Sequence, residues 1–304
     1  MATGRTFKLN TGAEIPALGL GTWQSPEDQV HSAVLTALKC GYKLIDTAFV
    51  YGNEVAVGQG IKDSGVARES FFLTTKLWST YHTRVAEGLE ASLKNLGVDY
   101  LDLFLVHWPV CMNALGDDPL FPRREDGTRD LVPEDQWDFT KTWAEMQKLL
   151  DTGKVRAIGV SNMSIANFEK LLAAPTTTVI PAVNQVELHP YLPQEKLLAY
   201  CEAKGIHVTA YSPLGSTSAP LQEDPIIQEI AKKAGKTPAQ VLISWAITRG
   251  TSAIPKSVTP TRIESNFHDF VLSDSDVAAI TAIGKTTHKR MVSPAWGVTI
   301  FHED

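Results

Sequence analysis

Four residues able to move or steer a proton fall at intervals that suit a repeating structural unit. Asp46 lies in LIDTA, Lys76 in LTTKLW and His107 in FLVHWP, 30 and 31 residues apart, and Tyr51 follows Asp46 by five. A tyrosine phenol, with an ordinary pKa near 10, is a poor acid at neutral pH unless a cation beside it stabilises the phenolate. Lys76 is such a cation. A buried lysine tends to lose its own proton, and the Asp46 carboxylate would hold it charged. His107 offers a second hydrogen bond to an incoming carbonyl oxygen. Together the four suit protonation of a developing alkoxide while something else delivers a hydride to carbon. Taken singly, each has a plainer reading: a structural ion pair for Asp46 and Lys76, a core residue for a histidine beside Trp108-Pro109.

Such a set needs elements that converge. After a short hairpin, TFKLNTGAEIP with Asn10-Thr11-Gly12 as its turn, the chain alternates short apolar runs with longer amphipathic ones. ALGLGT, YKLIDTA, SFFLTTKL, DLFLVH, VRAIGVS, PAVNQVEL, HVTAYSP and SAIPKS read as eight strands interleaved with helices, that is, βα units around a parallel sheet. Helix signals agree. Ser25 is expected as an N-cap with Pro26 at the first helical position and Gly41 as the stop, while Val85, Leu89, Leu93 and Leu96 recur at helical spacing before Gly97. The expected α/β fold is one (β/α)8 TIM barrel over residues 1–304, with the hairpin capping its bottom. Strand C-terminal ends gather on one face of such a barrel, where active sites sit, so Asp46, Lys76 and His107 would arrive from three adjacent strands. Two segments break the rhythm: 109–140, between the fourth strand and its helix, and the tail 285–304. Both are expected as loops over the C-terminal face, the tail alternatively as a packed extension.

Composition narrows the function classes. With 43% apolar and 20% charged residues, 304 residues are enough for a sizeable core. A net charge of −6 without basic blocks argues against nucleic acid or an anionic membrane as partner. Cys40, Cys111 and Cys201 form no CxxC pair, which suggests neither a disulfide framework nor a metal site. The N-terminus has no apolar signal region and no long apolar run occurs, so a cytoplasmic, monomeric protein acting on a small molecule is expected.

The motifs resemble those of the aldo-keto reductases along essentially the whole chain. GYKLIDTAFVYGNEVAVG (41–58) resembles the first signature of that family, with Lys43 where arginine is commoner; LDLFLVHWP resembles the segment carrying the family histidine, and IPKSVTPTRIESN (254–266) the coenzyme-phosphate signature. The resemblance implies Tyr51 as proton donor, Asp46 and Lys76 as the pair that tunes it, and His107 as the residue orienting the carbonyl.

No Rossmann fingerprint is present, since Gly19-Leu20-Gly21-Thr22-Trp23-Gln24 lacks the third glycine and opens no helix. Its glycines are expected to let cofactor or substrate approach closely. Lys256 and Ser257 follow the eighth strand, and Thr259-Pro260 reads as N-cap and first helical residue; a helix start flanked by Lys256 and Arg262 is a good anion site. By resemblance this segment, with Val258 and Asn266, grips the 2′-phosphate of NADPH/NADP+. The resemblance also implies Ser161, Asn162 and Gln185 at the nicotinamide carboxamide and Tyr211 stacked under its ring. Ser212, Leu214 and Ser216 would line the pyrophosphate loop, with Thr22, Trp23 and Asp46 as further cofactor contacts. Ser265 departs from the pattern, standing where many members have a glutamate at adenine.

Trp23, Val50, Trp78, Trp108 and Trp296, with Phe49 and His107, would wall an apolar pocket for a carbonyl or polyol. The pattern is most similar to the NADP-dependent glycerol dehydrogenase, glyceraldehyde and sugar-acid reductase branch. Three other readings remain: a broad-specificity aldehyde-detoxifying reductase, an NADPH-sensing regulatory subunit, and a protein that keeps the fold without activity.

Overall fold

A computed structural model describes residues 4–114, 118, 120–216 and 220–302. The opening hairpin pairs β1 (Thr6–Lys8) with β2 (Glu14–Pro16) antiparallel, Phe7 opposite Ile15. The barrel follows: β3 (Leu20–Gly21), α1 (Glu27–Cys40), β4 (Leu44–Asp46), α2 (Glu54–Ser64), β5 (Phe72–Leu77), α3 (Val85–Leu96), β6 (Leu103–Val106), α4 (Phe139–Lys148), β7 (Ile158–Ser161), α5 (Ile165–Ala173), β8 (Val183–Glu187), α6 (Glu195–Ala203) and β9 (His207–Tyr211). Two helices, α7 (Pro225–Ala234) and α8 (Pro238–Thr248), precede β10 (Ser252–Ala253), and α9 (Pro260–Asn266) and α10 (Asp274–Thr286) end the helical part. The strands from β3 to β10 pair in sequence order, all parallel, and the bridges Leu18–Ala253 and Gly21–Lys256 join the last strand to the first. The expected eight-stranded barrel is therefore closed.

Buried apolar residues divide into three clusters along the barrel axis. The largest packs strands against the helix ring, including Leu73, Phe104, Val160, Trp143 and Trp245. A second fills the barrel interior and its lower end, where Leu9 and Ile15 of the hairpin meet Leu44, Phe72, Leu103 and Val183. The Asn10 side chain ties the hairpin to the carbonyl of Pro181 at 3.1 Å, just before β8, so the hairpin plugs the N-terminal end as expected. The third cluster lies at the opposite end and contains Trp78, Trp108, Met112, Trp296 and Ile300.

One local expectation is corrected and another is extended. Pro26, not Ser25, is the N-cap of α1: its ψ of 146° is non-helical, and no side chain caps that end. Strand packing by itself also requires Gly19 and Gly21, of which Gly21 lines the cleft. A Cβ on Gly19 would lie 2.5 Å from Leu44 Cγ and one on Gly21 2.7 Å from the Ile254 carbonyl oxygen, so both are dictated by closing the barrel. Gly41 ends α1 at φ 112°, as the sequence indicates.

The 109–140 insertion is an ordered excursion in its described part, and its end is set by α4 at Phe139. Met112 pairs with Leu131 and Arg123 with Arg129, both antiparallel, and Trp78 Nε1 donates to the Leu120 carbonyl at 2.6 Å. Asp138 stops the excursion by capping α4, accepting from the Thr140 and Lys141 amides at 3.0 and 3.3 Å. The tail leaves α10 after Thr286 and runs without helix to the top cluster.

His82, between β5 and α3, is fully buried with neither ring nitrogen paired among the described residues, and burial pushes its pKa from 6.5 down to about 3. The unfolded chain binds a proton at this ring near pH 6.5 and the native chain only near 3, so stability falls as pH drops through that window. The loss reaches on the order of 2 kcal/mol by about pH 5. His82→Leu should narrow the difference in melting temperature between pH 7.5 and 5; an unchanged difference would show that His82 does not drive it.

Candidate active site

The parallel strands are buried on both faces and carry apolar runs, which makes their few charged residues conspicuous. Asp46 ends β4 and Lys76 lies near the end of β5, 2% and 0% exposed. Lys76 Nζ donates to Asp46 Oδ1 at 2.6 Å, to the Thr47 carbonyl at 2.8 Å and to the Tyr51 hydroxyl at 3.2 Å. Tyr51 closes a 3-10 turn (Phe49–Tyr51) ended by Gly52 at φ 70°, which turns the phenol back over the strand ends. His107 follows β6, its ring 5.7 Å from that of Tyr51. The four residues singled out by spacing therefore meet at one place.

Burial dominates the electrostatics. It pushes the Asp46 carboxyl up and the Lys76 ammonium down, and the contact between them opposes both shifts. Burial, then the Asp46 charge, pushes the Tyr51 phenol well above its ordinary 10. Tyr51 is therefore a neutral phenol at rest, and Lys76, the cation expected beside it, lies 3.2 Å away where it would stabilise a phenolate as one forms. Burial, then Lys76, pushes His107 well below 6.5, so its ring is neutral and can donate one hydrogen bond. His107 Nδ1 has no partner among the described residues.

A polar network on the next strands holds this group in place. Gln185 of β8 donates to Asp46 Oδ2 at 2.6 Å, and Ser161 Oγ donates to the Gln185 carbonyl at 2.7 Å. Asn162 donates to the His107 carbonyl at 3.0 Å and accepts from the Tyr211 hydroxyl at 2.8 Å. These residues thus tie β4, β6, β7, β8 and β9 together behind the reacting group.

A cleft of ≈780 Å³ opens above them. Every sequence-derived site residue lines it except Phe49 and Lys76, the latter buried beneath its floor. One end is walled by Val50, Trp78, Trp108 and Trp296, with Trp296 edge-on to Trp108 at 5.2 Å and to Trp78 at 6.0 Å. Trp23 stands at the rim, 37% exposed and outside that aromatic cluster, and Phe49 packs behind the wall rather than in it. The other end is lined by Thr22, Tyr211, Ser212, Leu214, Ser216, Lys256, Ser257, Val258, Arg262, Ser265 and Asn266. Lys256 and Arg262 have no carboxylate partner among the described residues. Thr259 occupies the N-cap of α9, but its side chain makes no cap bond; Ser257 Oγ instead accepts from the Thr259 amide at 3.2 Å.

Sequence reasoning missed Gln24, Phe121, Gln222, Thr237, Thr261 and Val292. Phe121 and Val292 come from the long loop and the tail, where no periodicity fixes which side chain turns inward. Non-glycine residues at positive φ concentrate here: Gln24 (56°), Asn162 (60°), Ser212 (49°) and Ser216 (58°) all line the cleft. Such backbone costs of order 1 kcal/mol or more per residue and marks a site shaped for something other than stability.

Comparison with known proteins agrees with this geometry. The aldo/keto reductase family model matches residues 17–285. The chain belongs to the aldo/keto reductase family. It is 52% identical over 297 residues to the glycerol 2-dehydrogenase (NADP(+)) of Saccharomyces cerevisiae, covering 96% of this chain and 95% of that one. A D-galacturonate reductase from Hypocrea jecorina is 49% identical over 304 residues, covering 96% of each. Among solved structures, the aldose reductase of Schistosoma japonicum superposes with a TM-score of 0.86 at 39% identity over 95% of this chain and 94% of that one. The chain is thus an oxidoreductase of carbonyl and alcohol groups on a TIM barrel.

Removing one partner of a buried ion pair leaves an uncompensated charge, a loss of about 3–5 kcal/mol. Asp46→Ala should therefore destabilise the protein by that order in urea, and adding Lys76→Met should recover part of the loss. Strict additivity of the two substitutions would mean that the pair is not coupled.

Proposed function

We propose that this protein reduces an aldehyde or ketone to an alcohol with NADPH, and oxidises polyols in reverse with NADP+. The observation that carries this reading is the buried chain from Asp46 through Lys76 to the Tyr51 hydroxyl, at 2.6 and 3.2 Å, beneath a cleft of ≈780 Å³ lined from Trp296 to Arg262. The nicotinamide supplies the hydride. The chain's own residues do the rest. His107 and Tyr51 hydrogen-bond the carbonyl oxygen and so orient its carbon. As negative charge develops on that oxygen, Tyr51 gives its proton up, and Lys76, 3.2 Å away, stabilises the phenolate left behind. Asp46 keeps the ammonium charged through this step, and Gln185 keeps the carboxylate aimed at it.

The residues present fit the proposed cofactor. Tyr211, fixed by its bond to Asn162, presents a ring to the cleft that can cover one face of a nicotinamide. The strained backbone at Ser212 and Ser216 suits a pyrophosphate, with Leu214 between them. Lys256 and Arg262, exposed and free of carboxylate partners among the described residues, suit the 2′-phosphate and favour NADPH over NADH. At the adenine end Ser265 lines the cleft, its carbonyl accepting from Gln240 at 2.8 Å.

Small polyol or sugar-type carbonyls such as glyceraldehyde or sugar acids are the substrates this site suits best, in keeping with the activities for which its relatives are named. Tryptophan faces stack on sugar carbons, and His107 and Tyr51 supply polar contacts at the reacting end. The intact Asp46–Lys76–Tyr51–His107 set speaks for catalysis rather than regulation alone. A monomer in the reducing cytosol is proposed, consistent with the absence of a disulfide among Cys40, Cys111 and Cys201. Among the described residues no helix is long and apolar enough to cross a membrane.

Loss of NADPH absorbance with glyceraldehyde, hexuronates, pentoses and an aromatic aldehyde measures the activity directly. Tyr51→Phe should lower kcat by about 10²–10⁴-fold while NADPH affinity is kept; near-wild-type turnover would remove Tyr51 as the proton donor. Lys256→Ala should weaken NADPH binding about tenfold or more and leave NADH nearly unchanged. An unaltered NADPH/NADH preference would mean that the phosphate lies elsewhere.

A further inference from the structure

Glu187, the last residue of β8, is fully buried and yet does not line the cleft. It lies two positions beyond Gln185 on the same face of the strand, so Gln185 reaches down to Asp46 while Glu187 reaches the layer above. What it meets there is the tail. The amide of Met291 donates to Glu187 Oε1 at 2.6 Å and that of Val292 to Oε2 at 2.7 Å, across more than a hundred residues of sequence. His189, also fully buried, places Nε2 2.7 Å from Oε1. Burial alone would push this carboxyl up, but His189 and the Met291 amide outweigh it and hold it below the usual glutamate range.

No packing argument calls for a carboxylate at this position, and a buried one is expensive unless every lone pair is used. The use found here is specific. The tail has no helix of its own after Thr286, and Lys289 is tied by its amide to the Tyr191 carbonyl at 2.9 Å. Immediately beyond lie Val292, in the cleft wall, and Trp296, whose ring closes the aromatic cluster with Trp78 and Trp108. Bonds to a carboxylate are about twice as strong as those between neutral groups, and these two fall at the point where the tail turns into the cleft.

We propose that Glu187 is a positioning residue for substrate recognition: its carboxylate clamps the Met291 and Val292 amides and so sets Val292 and Trp296 against the substrate. The role rests on the carbonyl-reductase reading above. Its effect grows with substrate length, because a compound as short as glyceraldehyde ends before the tail while a hexuronate reaches it. The cofactor end of the cleft, formed from β9, β10 and α9, does not depend on it.

Hydrogen exchange and kinetics on Glu187→Ala and Glu187→Gln test this together. In Glu187→Ala the amides of residues 287–302 should exchange at least about tenfold faster than in wild type, while β5 and β6 stay protected. KM for a hexuronate should rise about tenfold and that for glyceraldehyde no more than about threefold, with kcat and NADPH affinity nearly unchanged. Glu187→Gln, which keeps one acceptor oxygen and the side chain's volume, should lie between; it carries the test alone if the alanine variant fails to fold. Unchanged tail exchange, an equal KM rise for both substrates, or a fall in kcat and NADPH affinity with KM unmoved would each overturn the proposal. A wild-type protein that reduces no carbonyl of the panel would instead refute the functional reading on which the substrate part stands. The exchange data would still decide whether Glu187 holds the tail.

Discussion

A lysine ammonium and an aspartate carboxylate buried 2.6 Å apart at the end of an apolar barrel are the constraint around which this molecule is built. Neither charge is tolerable there alone. The pair persists because each remaining hydrogen-bonding position is filled: Gln185 on the far oxygen of Asp46, the Thr47 carbonyl and the Tyr51 hydroxyl on Lys76. That saturation requires β4, β5 and β8 to hold their ends at fixed heights, which a closed parallel barrel does. A lone sheet edge would not. The cost of burying the pair yields a phenol whose anion, once formed, finds a cation already in place.

The barrel separates stability from chemistry along its axis. The lower half is filled by aliphatic and aromatic side chains and plugged by Leu9 and Ile15. The upper half carries the ion pair, backbone at positive φ and an aromatic wall borrowed from the long loop and the tail. The glycines of β3 belong to the first task although they lie beside the second: Gly21 lines the cleft, yet it is glycine because the Ile254 carbonyl leaves no room for a Cβ.

Strand-end residues were legible in the sequence because a parallel strand buried on both faces tolerates few charges, so Asp46 and Lys76 announce themselves against their apolar neighbours. The eight-unit rhythm then places them on one face. Legibility fails where position depends on contacts distant in sequence. Phe121 and Val292 lie in segments without periodicity, and Ser25 looks like a cap until the geometry of Pro26 is seen. The tuning of Tyr51 is only half legible: the type of the neighbouring charge is readable, but the depth of burial that raises the phenol is not. Glu187 went unremarked for a related reason: its partners are backbone amides of the tail, which no residue type advertises.

The central claim is that hydride passes within this cleft from a nicotinamide covered on one face to a carbonyl carbon held by Tyr51 and His107. Its most direct measurement is the fate of deuterium when the protein reduces glyceraldehyde with NADPH labelled at one or the other of the two positions on C4. The account predicts that one label appears wholly on the carbinol carbon of the product and the other not at all, since the Tyr211 ring would block one face. Transfer of both labels, or deuterium retained by the cofactor in both cases while alcohol is formed, would contradict it.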